Sequence, residues 1–399
     1  MILVGIILNN DQLFASEKLD RWWHHGTKQV IGLGGGAGCG KTTVILYAVE
    51  RMGLELDEIL FVSYMGKAVS RMIQTGLPAR TIHSTCYTYE KRAMEDDDGK
   101  IIIGANGKPR LTWVPVLKES LPKKVKLIIA DEAYTIPEKN AKDLESFGVP
   151  IIAVGDPNQL EPPFGRPYFL TEEPEIMLHQ IMRQAEGNPI IYLAHQILAR
   201  QPLKEGNYGS SAVIKKANLT DFTMRNADIV LTTTNRLRGS INNLFRETFL
   251  GFADLSIPHL GEKLICRAND WSRFLSNCGG IYLTNGTTGV IDYVDRRSYT
   301  NKSVKLDFLP DYASRPFRNL KVDLTRLNAP LGQKLDIPWT PPDMNTFEYG
   351  YALTTMSSQG SQWGKVLVLD EGVVFNVDKY YRNLYVAITR ATDSVIIVR

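Results

Sequence analysis

Gly35-Gly36-Ala37-Gly38-Cys39-Gly40-Lys41-Thr42 has a strict spacing: a glycine, four residues, then Gly-Lys-Thr, with Thr43 following. Each residue type has a separable job. The glycines allow successive backbone N–H groups to turn inward at positive φ and approach phosphate oxygens, at the positive end of a helix. Lys41 adds a mobile charge for β and γ phosphates, and the Thr42 hydroxyl suits a Mg²⁺ ion. This chemistry is the binding of a nucleoside triphosphate.

Further along, four apolar residues lead into Asp131-Glu132. Carboxylates in that position are the expected second half of such a site: Asp131 holds Mg²⁺ directly or through water, and Glu132 polarises the attacking water as general base. Gln159, in Gly155-Asp-Pro-Asn-Gln159, is an uncharged group suited to sensing a γ phosphate or a water. Upstream, the Gln12 amide both donates and accepts, so it can read an adenine edge. Its alternative is a solvated helix glutamine.

These groups need a sheet to hold them. Gln29–Leu33, Glu58–Tyr64, Val125–Ala130 and Pro150–Val154 are short apolar runs that read as buried strands, and Thr42–Arg51 continues as a helix without proline. Lys67 and Arg80-Thr81-Ile82-His83-Ser84 follow strands, at the carboxyl edge where open α/β sheets bind ligands. His83 alone reads equally as a partly buried structural histidine.

The chain of 399 residues is long enough for two to four compact units. A composition of 44% apolar and 22% charged residues is that of a soluble protein, and a net charge of +3 permits a nucleic-acid partner without requiring one. The cysteines Cys39, Cys86, Cys266 and Cys278 lack metal-site spacing and point to a reducing cytoplasmic compartment. Met1–Asn10 is too short to span a bilayer, so no membrane association is expected. Residues 87–124 interrupt the sheet pattern, and Lys100–Ile103 and Arg110–Trp113 around Asn106-Gly107 read as a hairpin. Residues 252–345 hold short strands spaced by turns, as in a small barrel or sandwich. The proline-rich stretch 330–342 reads as an irregular return loop.

Together with Asn383-Leu-Tyr385-Val-Ala-Ile-Thr389-Arg390-Ala391, the motifs stand in the order of superfamily 1 helicases, and the chain resembles their RecD- and Dda-like branch, superfamily 1B. The resemblance covers residues 12–391. It implies an α/β fold of two RecA-like phosphate-loop domains: residues 1–175 with a hairpin insertion at about 87–124, then 176–251 with 346–399, interrupted by an SH3-like β insertion at 252–345.

The resemblance also implies roles for matching residues. Lys41, Glu132, Gln159, Arg183 and Arg390 would be catalytic, the two arginines reaching the γ phosphate from the second domain, and Gly360 would join the ATP site. Ser63, Tyr64, Lys67, Thr81, His83, Asn235, Asn285, Thr354 and Ser358 would meet DNA. At Thr354-Thr-Met356-Ser357-Ser358-Gln359-Gly360, Met356 and Ser357 replace the family's His-Lys pair, which puts one backbone-phosphate contact in doubt. Trp363 is a stacking platform or a core tryptophan.

The implied activity is that of an ATP- and Mg²⁺-dependent DNA helicase. It would move 5′ to 3′ on single-stranded DNA and open tailed or forked duplexes with its hairpin as wedge, as a monomer that serves replication, repair or recombination proteins. An ATPase switch that remodels a partner without unwinding, and a phosphate-loop kinase, are the rival readings.

Overall fold

Six short segments, apolar except for the edge strand Ala79–Thr81, lie side by side in one all-parallel sheet, in the order Ala79–Thr81, Ile59–Ser63, Leu127–Asp131, Ile151–Gly155, Val30–Gly35 and Ile176–Leu178. Successive side chains of a strand alternate between faces, so a strand covered on both sides must be apolar throughout. Leu127 and Ile129 pack with Leu33, Val44 and Leu19 on one face. Ile128 and Ala130 pack with Ile82, Ala141 and Leu144 on the other. The helices Asn10–His25 and Lys41–Arg51 cover the first of these faces.

The computed structural model describes residues 7–96, 99–103, 107–109, 111–161, 166–170, 173–180, 187–275, 281–311, 313–329, 344–373 and 376–399. The stretch 330–342 and Arg183 lie outside the described residues.

A second sheet has the order Ala352–Thr354, Ile229–Thr232, Trp363–Leu369, Ala391–Val398, Ser211–Ile214 and Gly206–Tyr208. All neighbours are parallel except the last pair. The helices Pro189–Leu198 and Val377–Ile388 pack on it through Leu193, Leu384 and Ile388. These are the two RecA-like layers.

Between Ile229–Thr232 and Ala352–Thr354 the chain forms a separate antiparallel sheet in the order Phe317–Asp323, Ser303–Pro310, Thr288–Asp295, Lys263–Cys266 and Phe347–Tyr349. A buried ion pair, Arg246 Nε to Glu262 Oε1 at 2.6 Å, fastens this sheet to the second unit, with the Arg246 guanidinium 3.8 Å from the centre of the Tyr349 ring.

Three boundaries differ from expectation. Ile176–Leu178 pairs with Leu33–Gly35, so the division placed after residue 175 falls too early. Phe347–Tyr349 pairs with Lys263–Cys266, so the inserted sheet continues past residue 345. Both are edge strands of three residues, too short for periodicity to assign to one sheet or the other.

The hairpin also starts earlier. Its long ladder joins Tyr87–Ala93 to Leu111–Leu117, and Ile103 pairs with Pro109 only as an isolated bridge beyond it. Consecutive exposed Glu90, Lys91 and Arg92 put charge on both faces of the first strand and leave no alternation to read. Its base is anchored: Tyr87 Oη donates to Asp143 Oδ2 at 2.5 Å, and Lys118 Nζ donates to the carbonyls of Ser84 and Thr85 at 2.8 Å each. Ile101, Ile103 and Leu111, farther out, are exposed.

Candidate nucleotide site and adjoining groove

The strand Val30–Gly35 hands over to the helix Lys41–Arg51 through a loop in which Gly38 (φ 81°) and Gly40 (φ 76°) are left-handed. That backbone would strain any residue with a Cβ, and it brings the loop's N–H groups to the helix start. Lys41 Nζ donates to the carbonyls of Gly35 at 2.7 Å and Gly36 at 3.2 Å, so its charge lies over the loop. Thr42 and Thr43 sit in the first turn of the helix.

Gln12 is buried and belongs to this loop's frame. Its Oε1 accepts from Asn9 N–H at 3.1 Å, closing a capping box with Asn9, and its Nε2 donates to Cys39 O at 3.1 Å. The solvated-glutamine reading is thereby excluded.

Asp131 and Glu132 stand at the end of the strand Leu127–Asp131, which is separated from Val30–Gly35 by the strand Ile151–Gly155. Burial, followed by the charge of Glu132, pushes the Asp131 carboxyl up to about 6, while Arg71 and Lys41 oppose the rise. Such a crowded carboxylate, with the Thr42 hydroxyl as a second oxygen donor, fits a hard divalent ion such as Mg²⁺.

Glu132 takes φ 52° and ψ 40°, a conformation costing a side-chain-bearing residue on the order of 1–3 kcal/mol. Thr135 holds it there, donating to Glu132 O from N–H at 2.9 Å and from Oγ1 at 2.8 Å. Gly155 makes the approach possible: a Cβ there would lie 3.3 Å from Ala133 N and 2.9 Å from Leu170 Cδ1.

The second unit meets this site along a seam. Tyr385 Oη accepts from Ala37 N–H at 2.9 Å and donates to Asp156 Oδ2 at 2.5 Å. Gln359 Nε2 donates to Leu160 O at 2.9 Å, and Arg382 Nη1 to Tyr134 Oη at 3.0 Å. Gly360 (φ 73°) packs on Met65, whose Sδ would be 3.1 Å from an added Cβ. Gln159 is buried next to this seam, and its Oε1 has no hydrogen-bond partner among the described residues.

Arg390 is buried at the end of the helix Val377–Ile388. It donates from Nε to Val386 O at 3.1 Å and from Nη2 to Thr389 Oγ1 at 3.2 Å. Burial lowers its pKa, and Glu132 is the first of the groups that oppose the shift. The guanidinium is therefore held by its own unit, within electrostatic reach of Glu132 across the seam.

A cavity of about 310 Å³ lies where the two units and the inserted sheet meet. Tyr64, Lys67, Thr81, His83 and Asn285, five of the residues expected to meet DNA, line it, joined by Arg267 and Ser357. Lys67 Nζ is buried, 5.5 Å from the centre of the Trp363 ring, and burial lowers its pKa to about 7. Trp363 itself is partly buried against the core of the second sheet and lines a connected groove with Lys67 and Arg71.

Four expected contacts are not in this cavity. The side chains of Ser63 and Ser358 are fully buried, Ser358 Oγ donating to Thr355 O at 2.7 Å, so side-chain contacts by these two are corrected: each lies on the inner face of its element. Thr354 is buried and caps the turn Thr355–Ser358, and Asn235 is exposed at the start of the helix Asn235–Leu244. Sequence reasoning missed Asp156, Tyr385 and Arg267. The first two lie inside motifs already quoted, but only their long-range partners give them a role.

Residues 24–165 match the model of an AAA domain, and residues 349–398 that of a UvrD-like helicase C-terminal domain. The chain is 26% identical over 382 residues to the ATP-dependent RecD2 DNA helicase of Deinococcus radiodurans, covering 92% of this chain and 46% of that protein. It thus spans about half the length of the curated relative it matches.

Two solved Pif1 structures share the fold, each with a TM-score of 0.52 and each covering 98% of this chain and 92% of the other. One, described as DNA unwinding at forked duplex by two coordinating Pif1 helicases, is 17% identical; the other, Bacteroides Pif1 bound to single-stranded DNA, is 16% identical. The two matched domain models and the shared fold agree with the resemblance to superfamily 1B that the motifs carry in their order.

Proposed function

We propose that the protein is an ATP-driven motor that moves along single-stranded DNA, 5′ to 3′, and opens tailed or forked duplexes, with the hairpin of residues 87–124 and the antiparallel sheet that runs on to Tyr349 as its principal insertions. The observation that carries this reading is the seam: Tyr385 touches the phosphate loop and Asp156 at once, and Gln359 joins the same seam while lining the adjoining groove. A change at the nucleotide is therefore felt where a strand would lie.

ATP would sit with its phosphates over Gly35–Thr43, its base against Gln12, and its γ phosphate facing Arg390 and Arg183. A ligand can drive closure only through contacts it makes in one state and not the other. The γ phosphate, absent from ADP, supplies that difference to the arginines. Mg²⁺, held by Thr42 and Asp131, would neutralise phosphate charge. Glu132, fixed by its left-handed backbone, takes the proton of the attacking water, and Gln159 senses the γ position. The anchored hairpin, with its exposed isoleucines, would be the wedge, and each base-pair step it parts costs roughly 0.6–2.2 kcal/mol of stacking.

Duplexes with a 5′ tail, a 3′ tail or blunt ends, mixed with ATP, test the proposal. Strand separation on the 5′-tailed duplex alone is the expected result. ATPase stimulation without separation would favour a remodelling switch, and a phosphorylated small acceptor would favour a kinase.

A further inference from the structure

The cavity between the two units has a wall with an excess of positive charge. Arg267, just past the strand Lys263–Cys266, donates from Nε to Glu348 Oε2 at 2.5 Å. Arg238, from the second unit, pairs with the same carboxylate oxygen. Two guanidinium groups share one carboxylate, so the cluster keeps a net positive charge. Arg267 is further held by Ser357 Oγ, which accepts from its Nη1 at 3.2 Å, and by its own N–H, which donates to Thr346 O at 2.8 Å. The bonds described for its side chain use Nε and Nη1, and a guanidinium carries five N–H donors.

Among the described residues that line the cavity, those of the second unit, Met356, Ser357 and Gln359, are uncharged. Lys67 lines the same cavity, its ammonium buried and without a hydrogen-bond partner among the described residues. Thr81 and Asn285 add neutral polar groups to the same lining. A braced planar cation and a buried ammonium lining one cavity, together with hydroxyl and amide groups, are suited to a phosphodiester rather than to a neutral or cationic ligand.

We propose that Arg267 is a nucleic-acid backbone contact: its guanidinium, braced by Glu348 and Ser357, binds a phosphate of the single strand and supplies the charge that positions 356 and 357 lack. This rests on the single-strand reading above. The geometry at Ser357 explains the arrangement. A lysine at residue 357 would put its apolar stem where the Ser357 hydroxyl meets Arg267 and bring a second positive charge into the same cavity, and like charges there repel. Serine at 357 and arginine at 267 therefore belong together, and lysine at 357 would serve only if Arg267 were gone.

Binding of a fluorescent oligothymidylate, followed by anisotropy across a salt series, tests this in the full chain. Each phosphate contact contributes about 0.7 to the slope of log K against log salt on single strands, which is about five-fold in affinity over one decade of salt. Arg267→Gln should lower the slope by about 0.7 and weaken binding by about that factor. Adding Ser357→Lys to Arg267→Gln should restore both, while Ser357→Lys alone should weaken binding. An unchanged slope in Arg267→Gln overturns the proposal. So does a loss that Ser357→Lys fails to restore, because Arg267 would then act only by holding Glu348. Wild-type protein that ignores the oligothymidylate, or binds it without salt dependence, refutes the single-strand reading itself.

Discussion

Tyr385 and Asp156 come from opposite units and share a hydrogen bond of 2.5 Å, formed while the same tyrosine oxygen accepts the amide of Ala37 in the phosphate loop. Both residues are buried. Tyr385→Phe leaves the Asp156 carboxylate short of one partner, at a cost of about 1–3 kcal/mol. A urea titration should show that loss. An unchanged midpoint would mean that the bond contributes nothing to holding the units together.

Glu132→Gln keeps the side chain's size and its left-handed backbone but removes the base. Turnover should fall by about 10²–10⁴, while a labelled ATP analogue still binds. Weak binding with normal turnover would contradict the role given to Glu132.

Arg390→Ala should slow hydrolysis by on the order of 10³ or more if its charge meets the transferring phosphoryl group. Affinity for single strands should change little, because Arg390 does not line the groove. Equal loss of both would identify a structural residue, bonded as it is to Val386 O and Thr389 Oγ1.

Lys67 gives the groove a pH dependence. Burial lowers its pKa to about 7, so near neutrality only part of the population carries the charge. An incoming phosphate favours the charged form, so binding takes up a proton, and affinity is full below pH 7 and falls as pH rises above it. The limit is about ten-fold per pH unit for one proton. Anisotropy titrations from mildly acid to mildly alkaline buffer should show this trend, and Lys67→Ala should flatten it.

Trimming the hairpin beyond its ladder of Tyr87–Ala93 with Leu111–Leu117 should impair strand separation more than DNA-stimulated ATPase. Equal effects on both assays reject the wedge.

What the sequence made legible was local chemistry. The loop Gly35–Thr43, the pair Asp131-Glu132 and the strands that carry them follow from short runs whose residue types answer to nearest neighbours, and they stand where expected. What it hid depends on distant partners. Nothing near residue 385 announces a bond to residue 37, and nothing near residue 267 announces Glu348 or Ser357. Burial has the same character: Lys67 reads as an exposed basic residue until Trp363 is folded against it. Edge strands such as Ile176–Leu178 escape for a further reason, since three residues fit either sheet until the pairing is known.

The bonds of Gln12 carry a consequence for which nucleotide the site accepts. A carboxamide offers two hydrogens and two lone pairs, and here one of each is committed, to Cys39 O and Asn9 N–H. One donor and one acceptor are left over. Adenine presents an acceptor at N7 beside a donor at N6, whereas guanine presents two acceptors along that edge. A base placed against Gln12, as proposed, would therefore be matched as adenine and mismatched as guanine, and because the committed pair holds the frame of the loop, rotating the amide to suit guanine would undo the cradle proposed for its phosphates.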